Sequence, residues 1–283
     1  MPLKLMYITN DPEVATIAEA NGVDRIFVDM EYIGKNLRQG GMDTVQSKHT
    51  LDDVKTIAET ITKSELLVRV NPIHEKTEKY TSSKEEIDGA VTNGADIIML
   101  PYFKTVEEVR KLIEYVGGRA KVMPLLETPE AVEVIDEILE LDGIDEIFIG
   151  LNDLSLGYGL KFMFQPLANG TIDMLCEKFK KKGIPYGFGG LASLEGGLLP
   201  GRMVLKDHYR LGSESVILSR SFCNTNIIKD PAVIQEMFEH GVNDIRTLEE
   251  ECRERIAEGN IPYFTDNHDS LITIVGEIAN VQA

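Results

Sequence analysis

Glu127 and Asp153 are the residues whose type and spacing most directly suggest chemistry. Glu127 closes the apolar run KVMPLLET and Asp153 falls near the end of DEIFIGLNDLS, with one helix-like stretch, EAVEVIDEILELDG, between them. If the two runs are consecutive strands of a parallel α/β barrel, their C-terminal ends are neighbours at the mouth where barrel active sites lie. Two carboxylates side by side there suit a hard divalent cation, which takes oxygen ligands and keeps positions open for water and substrate. Arg69, in LLVRVNP, falls at the same kind of strand end. Beside two such acids its guanidinium is a clamp for a keto or carboxylate oxygen, a charge-assisted contact worth roughly 1.5–3 kcal/mol. The plainer alternatives are an ion pair inside the barrel for Arg69 and exposed helix starts for the two acids.

The elements that must position these residues alternate along the whole chain. LKLMYI, DRIFVDM, ELLVRV, ADIIML, AKVMPLL, DEIFIG, IPYGF and SVILS read as eight strands, separated by capped amphipathic helices. Asp11 with Pro12 opens the first helix, which runs to Asn21-Gly22, and Thr50 caps the next. Ser83 with Glu86, and Thr105 with Glu108, have the spacing of capping boxes, and Thr128 with Pro129 opens the helix after the fifth strand. Further helices are expected over 171–182 and 201–211. An unusually long Gly-rich stretch, GKNLRQGGMDTVQSKH, follows the second strand. The turn after the first strand, ITNDPE, is no GxGxxG, which argues against a dinucleotide-binding sheet. The expected fold is α/β, a (β/α)8 TIM barrel over residues 1–229. Residues 230–283 form a C-terminal helical extension of the same domain, read as PAVIQEMFEH, then DIRTLEEECRERIAEG, then a short segment. This is more helix than one barrel helix needs, and it is read as an arm that forms an oligomer in preference to extra packing.

At 283 residues the chain has room for one barrel of about 250 residues with a modest extension. A net charge of −18 excludes the basic footprint of a nucleic-acid binder and disfavours anionic membrane surfaces. A small anionic substrate remains compatible where a metal and an arginine reverse the local field. Cys176, Cys223 and Cys252 are far apart and offer no zinc spacing, so reduced thiols are expected. MPLKLMYITND lacks a signal-peptide core, and no run approaches the ~20 apolar residues of a membrane span, so the expected location is cytoplasmic.

VDMEY, LLVRVNP, LLETPEA and IFIGLNDLSLGYG, in that order and spacing, resemble the HpcH/HpaI aldolase and citrate lyase β-subunit family, from the first strand to about Phe222. The resemblance implies a barrel that binds Mg2+, Mn2+ or Co2+ and works on the carbon–carbon bond next to an enolate. Carried over by position, Glu127 and Asp153 are metal ligands and Arg69 stabilises the enolate oxygen. The backbone amides of Gly150, Leu151 and Asn152 hold the substrate carboxylate. The resemblance also implies a homo-oligomer, a trimer or a hexamer.

The family's pyruvate aldolases place a histidine directly after the acid that follows the second strand, whereas this chain reads DMEY, with Tyr32 there. A phenol titrating near 10 is a poor base at neutral pH. His49, at the end of the long loop, is the candidate stand-in, and a solvated loop histidine is its plain alternative. His74 is a second candidate. Asp29 and Glu31 either order Arg69 or metal-bound water from behind, as does Tyr32, or form interior ion pairs. GFGGLASLEGGLLPGR reads as an active-site rim, and Arg220 faces either a substrate tail or a helix carboxylate. The leading expectation is a metal-dependent aldolase that cleaves or forms a 4-hydroxy-2-oxo acid, with a 2-oxo acid and an aldehyde as partners. The competing expectations are a citryl- or malyl-CoA-type lyase, and a barrel that binds metal without turnover.

Overall fold

Side-chain alternation along each strand divides the molecule into two apolar regions. The computed structural model describes residues 1–35 and 47–281. Eight parallel strands among these residues close into a barrel in chain order: β1 (Lys4–Ile8), β2 (Arg25–Asp29), β3 (Glu65–Arg69), β4 (Ile97–Leu100), β5 (Lys121–Leu126), β6 (Ile147–Ile149), β7 (Tyr186–Leu191) and β8 (Ser215–Leu218). One phase of the two-residue period points inward, and Met6, Phe27, Leu67, Met99, Met123 and Phe148 fill the barrel. The other phase, with Ile26, Val28, Leu66, Val68 and Ile98, packs against the surrounding helices. Charged residues cap the inward columns at both ends. At the N-terminal end fully buried Arg25 donates to Glu65 from Nε and to Glu146 from Nη1, each at 2.8 Å.

The helices are α1 (Pro12–Ala20), α2 (Leu51–Thr60), α3 (Ser83–Thr92), α4 (Val106–Val116), α5 (Pro129–Glu133), α6 (Ile135–Ile138), α7 (Leu151–Gly157), α8 (Gln165–Ala168), α9 (Thr171–Lys182), α10 (Gly201–Leu211), α11 (Pro231–Ala257) and α12 (Pro262–Val281). Asp11, Thr50, Thr105 and Thr128 cap the helices that follow them, as their sequence positions imply.

Four local expectations change. The cap of α3 is Ser82 with Glu85, one residue earlier than Ser83 with Glu86. Ser83 and Glu86 are both buried, and they brace the loop after β3 instead. The stretch after Glu127 is two short helices, α5 and α6, broken at Val134. PAVIQEMFEH and DIRTLEEECRERIAEG belong to one 27-residue helix, α11, and the final segment is a 20-residue helix rather than a short one. Gly241 lies inside α11. A Cβ there would come within 2.6 Å of the Phe222 ring, so the glycine admits close packing. Both C-terminal helices lie against the barrel's own outer ring, α11 on α1 and α10, and α12 on α10 and α8. The Gly-rich stretch after β2 falls largely, over 36–46, outside the described residues. The three cysteines are buried free thiols, and no described helix is long and apolar enough to cross a membrane.

Candidate active site

Strand register brings the first charged pair together. Asp29 and Arg69 end the inward columns of β2 and β3 and are direct cross-strand partners. Arg69 grips Asp29 with a fork, Nε to Oδ1 at 2.8 Å and Nη2 to Oδ2 at 2.7 Å. Buried Lys35 reaches the same carboxylate at 2.9 Å, and Glu31 lies 3.5 Å from both cations. Burial works to raise the Asp29 carboxyl, but the Arg69 and Lys35 charges hold it far below the ordinary range. Burial likewise opposes the Arg69 charge, and Asp29 and Glu31 overcome it, so the guanidinium is fixed as a cation. Its carbon lies 5.4 Å from the Phe27 ring centroid, which fills the barrel layer below.

Glu127 continues the inward column of β5 through Met123 and Leu125, and Asp153 stands in the first turn of α7, directly after β6. Their side chains are nearly out of solvent, at 4% and 8% exposure, and both line one cavity of about 440 Å³ at the C-terminal mouth. Glu127 Oε1 accepts the Tyr102 N–H at 2.9 Å, and Asp153 Oδ1 accepts the Asn152 side-chain amide at 3.1 Å. Tyr102 is the only non-glycine described residue with positive φ, at 51°. This backbone conformation is costly for a bulky residue, and here it carries the N–H that steers Glu127. Gly150 leaves room beside the acid: a Cβ on it would lie 2.6 Å from Glu127 Oε2.

These features fit a divalent cation. The ligands would be hard oxygens from two adjacent strand ends, held by neighbouring amides beside a space that only glycine leaves open. Among the described residues no group of three or more His, Cys, Asp or Glu forms a complete metal cage. A cation held by Glu127 and Asp153 would therefore depend on substrate and water for its remaining ligands.

His49 also lines the cavity, and its Nδ1 accepts the Asp29 backbone N–H at 2.9 Å. Burial lowers its basicity, with Asp29 and Asp53 acting in the opposite direction. The neutral ring therefore carries its proton on Nε2. It is placed to donate a hydrogen bond, which differs from the base expected of it. Tyr32 is 48% exposed, packs on Tyr80 at 5.6 Å between centroids and does not line the cavity. Partial burial and the nearby Glu86 raise its hydroxyl, which makes the phenol a still poorer base. His74 is a loop brace, with Nδ1 at 2.7 Å from Pro72 O and Nε2 at 2.8 Å from Thr81 O.

The cavity gathers Asp29, His49, Arg69, Glu127, Gly150, Leu151, Asn152 and Asp153, while Glu31 and Tyr32 stay outside its lining. The Gly150 N–H is already given to Leu126 O at 2.9 Å, continuing the β5–β6 pairing, so the amides left to face a ligand are those of Leu151 and Asn152. Three positioning residues escaped the sequence reading. Lys35 lies one helical turn beyond Glu31, a spacing that was available as a signal. Asn71 accepts the Tyr32 and Ile33 N–H groups, each at 2.9 Å, and donates to Glu86 at 2.7 Å. Its only mark was its place in RVNP. The backbone of Tyr102 gave no signal.

Comparison with known proteins gives a consistent picture. The family model for HpcH/HpaI aldolase/citrate lyase matches residues 4–163, more than half of the chain. The fold is similar to the crystal structure of an HpcH/HpaI aldolase from Desulfitobacterium hafniense, with a TM-score of 0.57 at 18% identity, covering 87% of this chain and 93% of that one. It is also similar to an HpcH/HpaI aldolase/citrate lyase family protein from Burkholderia cenocepacia, with a TM-score of 0.59 at 17% identity, covering 83% of this chain and 94% of that one. A curated pyruvate kinase from Methylorubrum extorquens is 31% identical over 87 residues, a segment that is 31% of this chain and 17% of that protein's length.

Proposed function

Because the chain belongs to the HpcH/HpaI aldolase/citrate lyase family, we propose that it is a carbon–carbon lyase of the aldolase type. Its substrate on this reading is a 4-hydroxy-2-oxo acid, cleaved to or formed from pyruvate and an aldehyde, with Mg2+, Mn2+ or Co2+ as cofactor. The observation that carries this reading is the convergence of Arg69, Glu127 and Asp153 on one cavity at the barrel mouth.

Glu127 and Asp153 would hold the cation, which when bound supplies Lewis acidity toward the keto and carboxylate oxygens of the 2-oxo acid. Arg69, fixed as a cation by Asp29, faces the negative charge that develops as the bond between C3 and C4 breaks. As the C4 hydroxyl gives its proton to water, the electron pair of that bond passes to the three-carbon fragment as an enolate, and the hydroxyl carbon leaves as the aldehyde. The enolate then takes a proton from water at C3 to give pyruvate. His49, with its proton on Nε2, donates to the C4 oxygen and keeps it oriented. The backbone of Leu151 and Asn152, at the start of α7, lies beside the substrate carboxylate.

The test is exchange of the pyruvate methyl protons in D2O, followed by NMR, with each metal in turn and with EDTA. The expected result is metal-dependent exchange that is lost in Glu127→Gln and reduced at least a hundredfold in Arg69→Ala. Absence of exchange under every metal would sink the pyruvate reading, and acyl-CoA thioesters would then be the substrates to try.

A further inference from the structure

Position 190 is the one place on β7 that is not buried, and it lines the cavity. The register of β7, which reads YGFGGL, explains how a glycine comes to stand there. Gly187 pairs with inward-facing Phe148 of β6, so a two-residue period would bring residues 189 and 191 inward after it. The ladder to β8 is irregular between Gly187 and Gly190. Beyond the irregularity Gly190 pairs with Ile217, which packs on the barrel interior. Leu191 pairs with Leu218, and both belong to the outer layer. The bulge therefore turns the Leu191 side chain away from the mouth and sets a residue with no side chain in its place.

The glycines of β7 have different causes. A Cβ on Gly187 would strike Ser215 Oγ and come within 2.8 Å of the Phe148 ring. Gly189 has φ 63°, and a Cβ on it would lie 2.8 Å from Leu151 Cδ1. Packing or backbone requires glycine at both. Gly190 has no positive φ, and a Cβ there would meet only Ser219 Cβ at 3.5 Å and Ile217 O at 3.9 Å, which are ordinary contacts. The fold does not require glycine at this position. Glycine nevertheless weakens a strand, because it loses the most backbone freedom on folding and packs no side chain. A strand glycine of this kind marks a close approach by another group, and the space in front of Gly190 is the cavity.

The cavity, at about 440 Å³, falls within the roughly 300–1,000 Å³ that encloses a whole small ligand. Arg69, Glu127, Asp153 and the start of α7 account for the three carbons that become pyruvate, and His49 for the C4 oxygen. What lies against β7 and β8 is the rest of the aldehyde. Ile217, the cross-strand partner of Gly190, and Leu151, beside Gly189, also line the cavity, so the hollow at Gly190 has apolar edges.

We propose that Gly190 determines the size specificity of the cavity: the hollow it leaves beside Ile217 takes the body of an aldehyde of four or more carbons, lying on the β7 backbone. This rests on the aldolase reading and sharpens it, since a side chain at 190 would exclude long aldehydes and admit short ones.

The test compares kcat/KM for pyruvate addition within two pairs, acetaldehyde with hexanal and glycolaldehyde with D-erythrose, in the native protein, Gly190→Ala and Gly190→Val. The long-to-short ratio of at least one pair is expected to fall about tenfold or more in Gly190→Val, mainly through KM, with Gly190→Ala between. The pair that responds more shows whether the body is hydrocarbon or hydroxylated. Ratios unchanged in both pairs, including a variant that loses long and short aldehydes alike, would overturn the proposal. Thermal unfolding of the ligand-free protein separates it from the aldolase reading. Gly190→Ala is expected to raise Tm by roughly 1–3 °C, whereas Gly189→Ala lowers it. A lowered Tm in Gly190→Ala would mean that the fold itself needs this glycine and would overturn the proposal even if pyruvate exchange is present. A raised Tm without pyruvate exchange would sink the aldolase reading and still support position 190 as space kept for a ligand.

Discussion

Asp29 is the residue through which most of the site's order passes. Its carboxylate accepts the Arg69 fork and the Lys35 ammonium, and its backbone N–H fixes the tautomer of His49. A planar five-donor guanidinium can satisfy Asp29 and still present N–H groups to a substrate oxygen, which a single ammonium cannot do in the same geometry. Arg69→Lys is therefore expected to keep the charge and lose the chemistry, with pyruvate exchange falling about a hundredfold and little change in metal affinity. Exchange within threefold of the native rate would show that charge alone suffices. At this scale the sequence was legible where a side chain ends a strand column, as at Arg69, Glu127 and Asp29, because a two-residue period fixes where such a side chain points. It was illegible where a loop decides. Lys35 and Asn71 reach their partners only through the path of the chain beyond β2 and β3, and His49 was seen as a base because its Nδ1 partner, a backbone N–H, leaves no mark in the sequence.

Elements position these residues through their ends, and the ends are where local signals compete. The run SSKEE offers two capping boxes one residue apart. Packing chooses between them: Ser83 and Glu86 are needed by His74 and Asn71, and Ser82 and Glu85 are left to cap α3. The stretch after β5 has a helical pattern throughout but turns at Val134 into α6, whereas α11 runs on through Gly241, whose missing side chain admits contact with Phe222. Periodicity thus located every strand and most helices, while continuity depended on tertiary neighbours. The junction of β6 and α7 carries a prediction. Gly150 has φ −84°, so its backbone suits any residue, and its constraint is the space beside Glu127. Gly150→Ala should fold and should weaken Mn2+ binding, measured by titration calorimetry, about tenfold, because the added methyl must displace the Glu127 carboxylate. Unchanged affinity would remove Glu127 from the metal site.

At the scale of the whole molecule, α10 joins the barrel to its C-terminal helices, and the histidine at its centre ties stability to pH. His208 is fully buried, stacks on Phe188 of β7 at 3.8 Å and 4°, and shares a 2.8 Å hydrogen bond between Nδ1 and Ser213 Oγ. Its Nε2 has no hydrogen-bond partner among the described residues. Burial pushes its basicity down to about 3, with the neighbouring Asp207 acting in the opposite direction. Asp207 is itself occupied by Arg210 and by His268 of α12, so it bonds the two helices and not the His208 ring. An unfolded histidine takes its proton near pH 6.5, whereas the folded ring refuses it until about 3. Stability from this residue is therefore complete above about pH 6.5. It declines by ~1.4 kcal/mol per pH unit as pH falls toward the folded value. His49 contributes in the same direction by its own burial. Urea unfolding at pH 7.5 and 5.5 isolates this effect from most carboxylates, which titrate lower. His208→Gln keeps a polar group for Ser213, lowers stability at pH 7.5 through the lost stack, and should lose about 1 kcal/mol less than the native chain between the two pH values. Parallel losses in the two proteins would mean that His208 is protonated in the folded barrel.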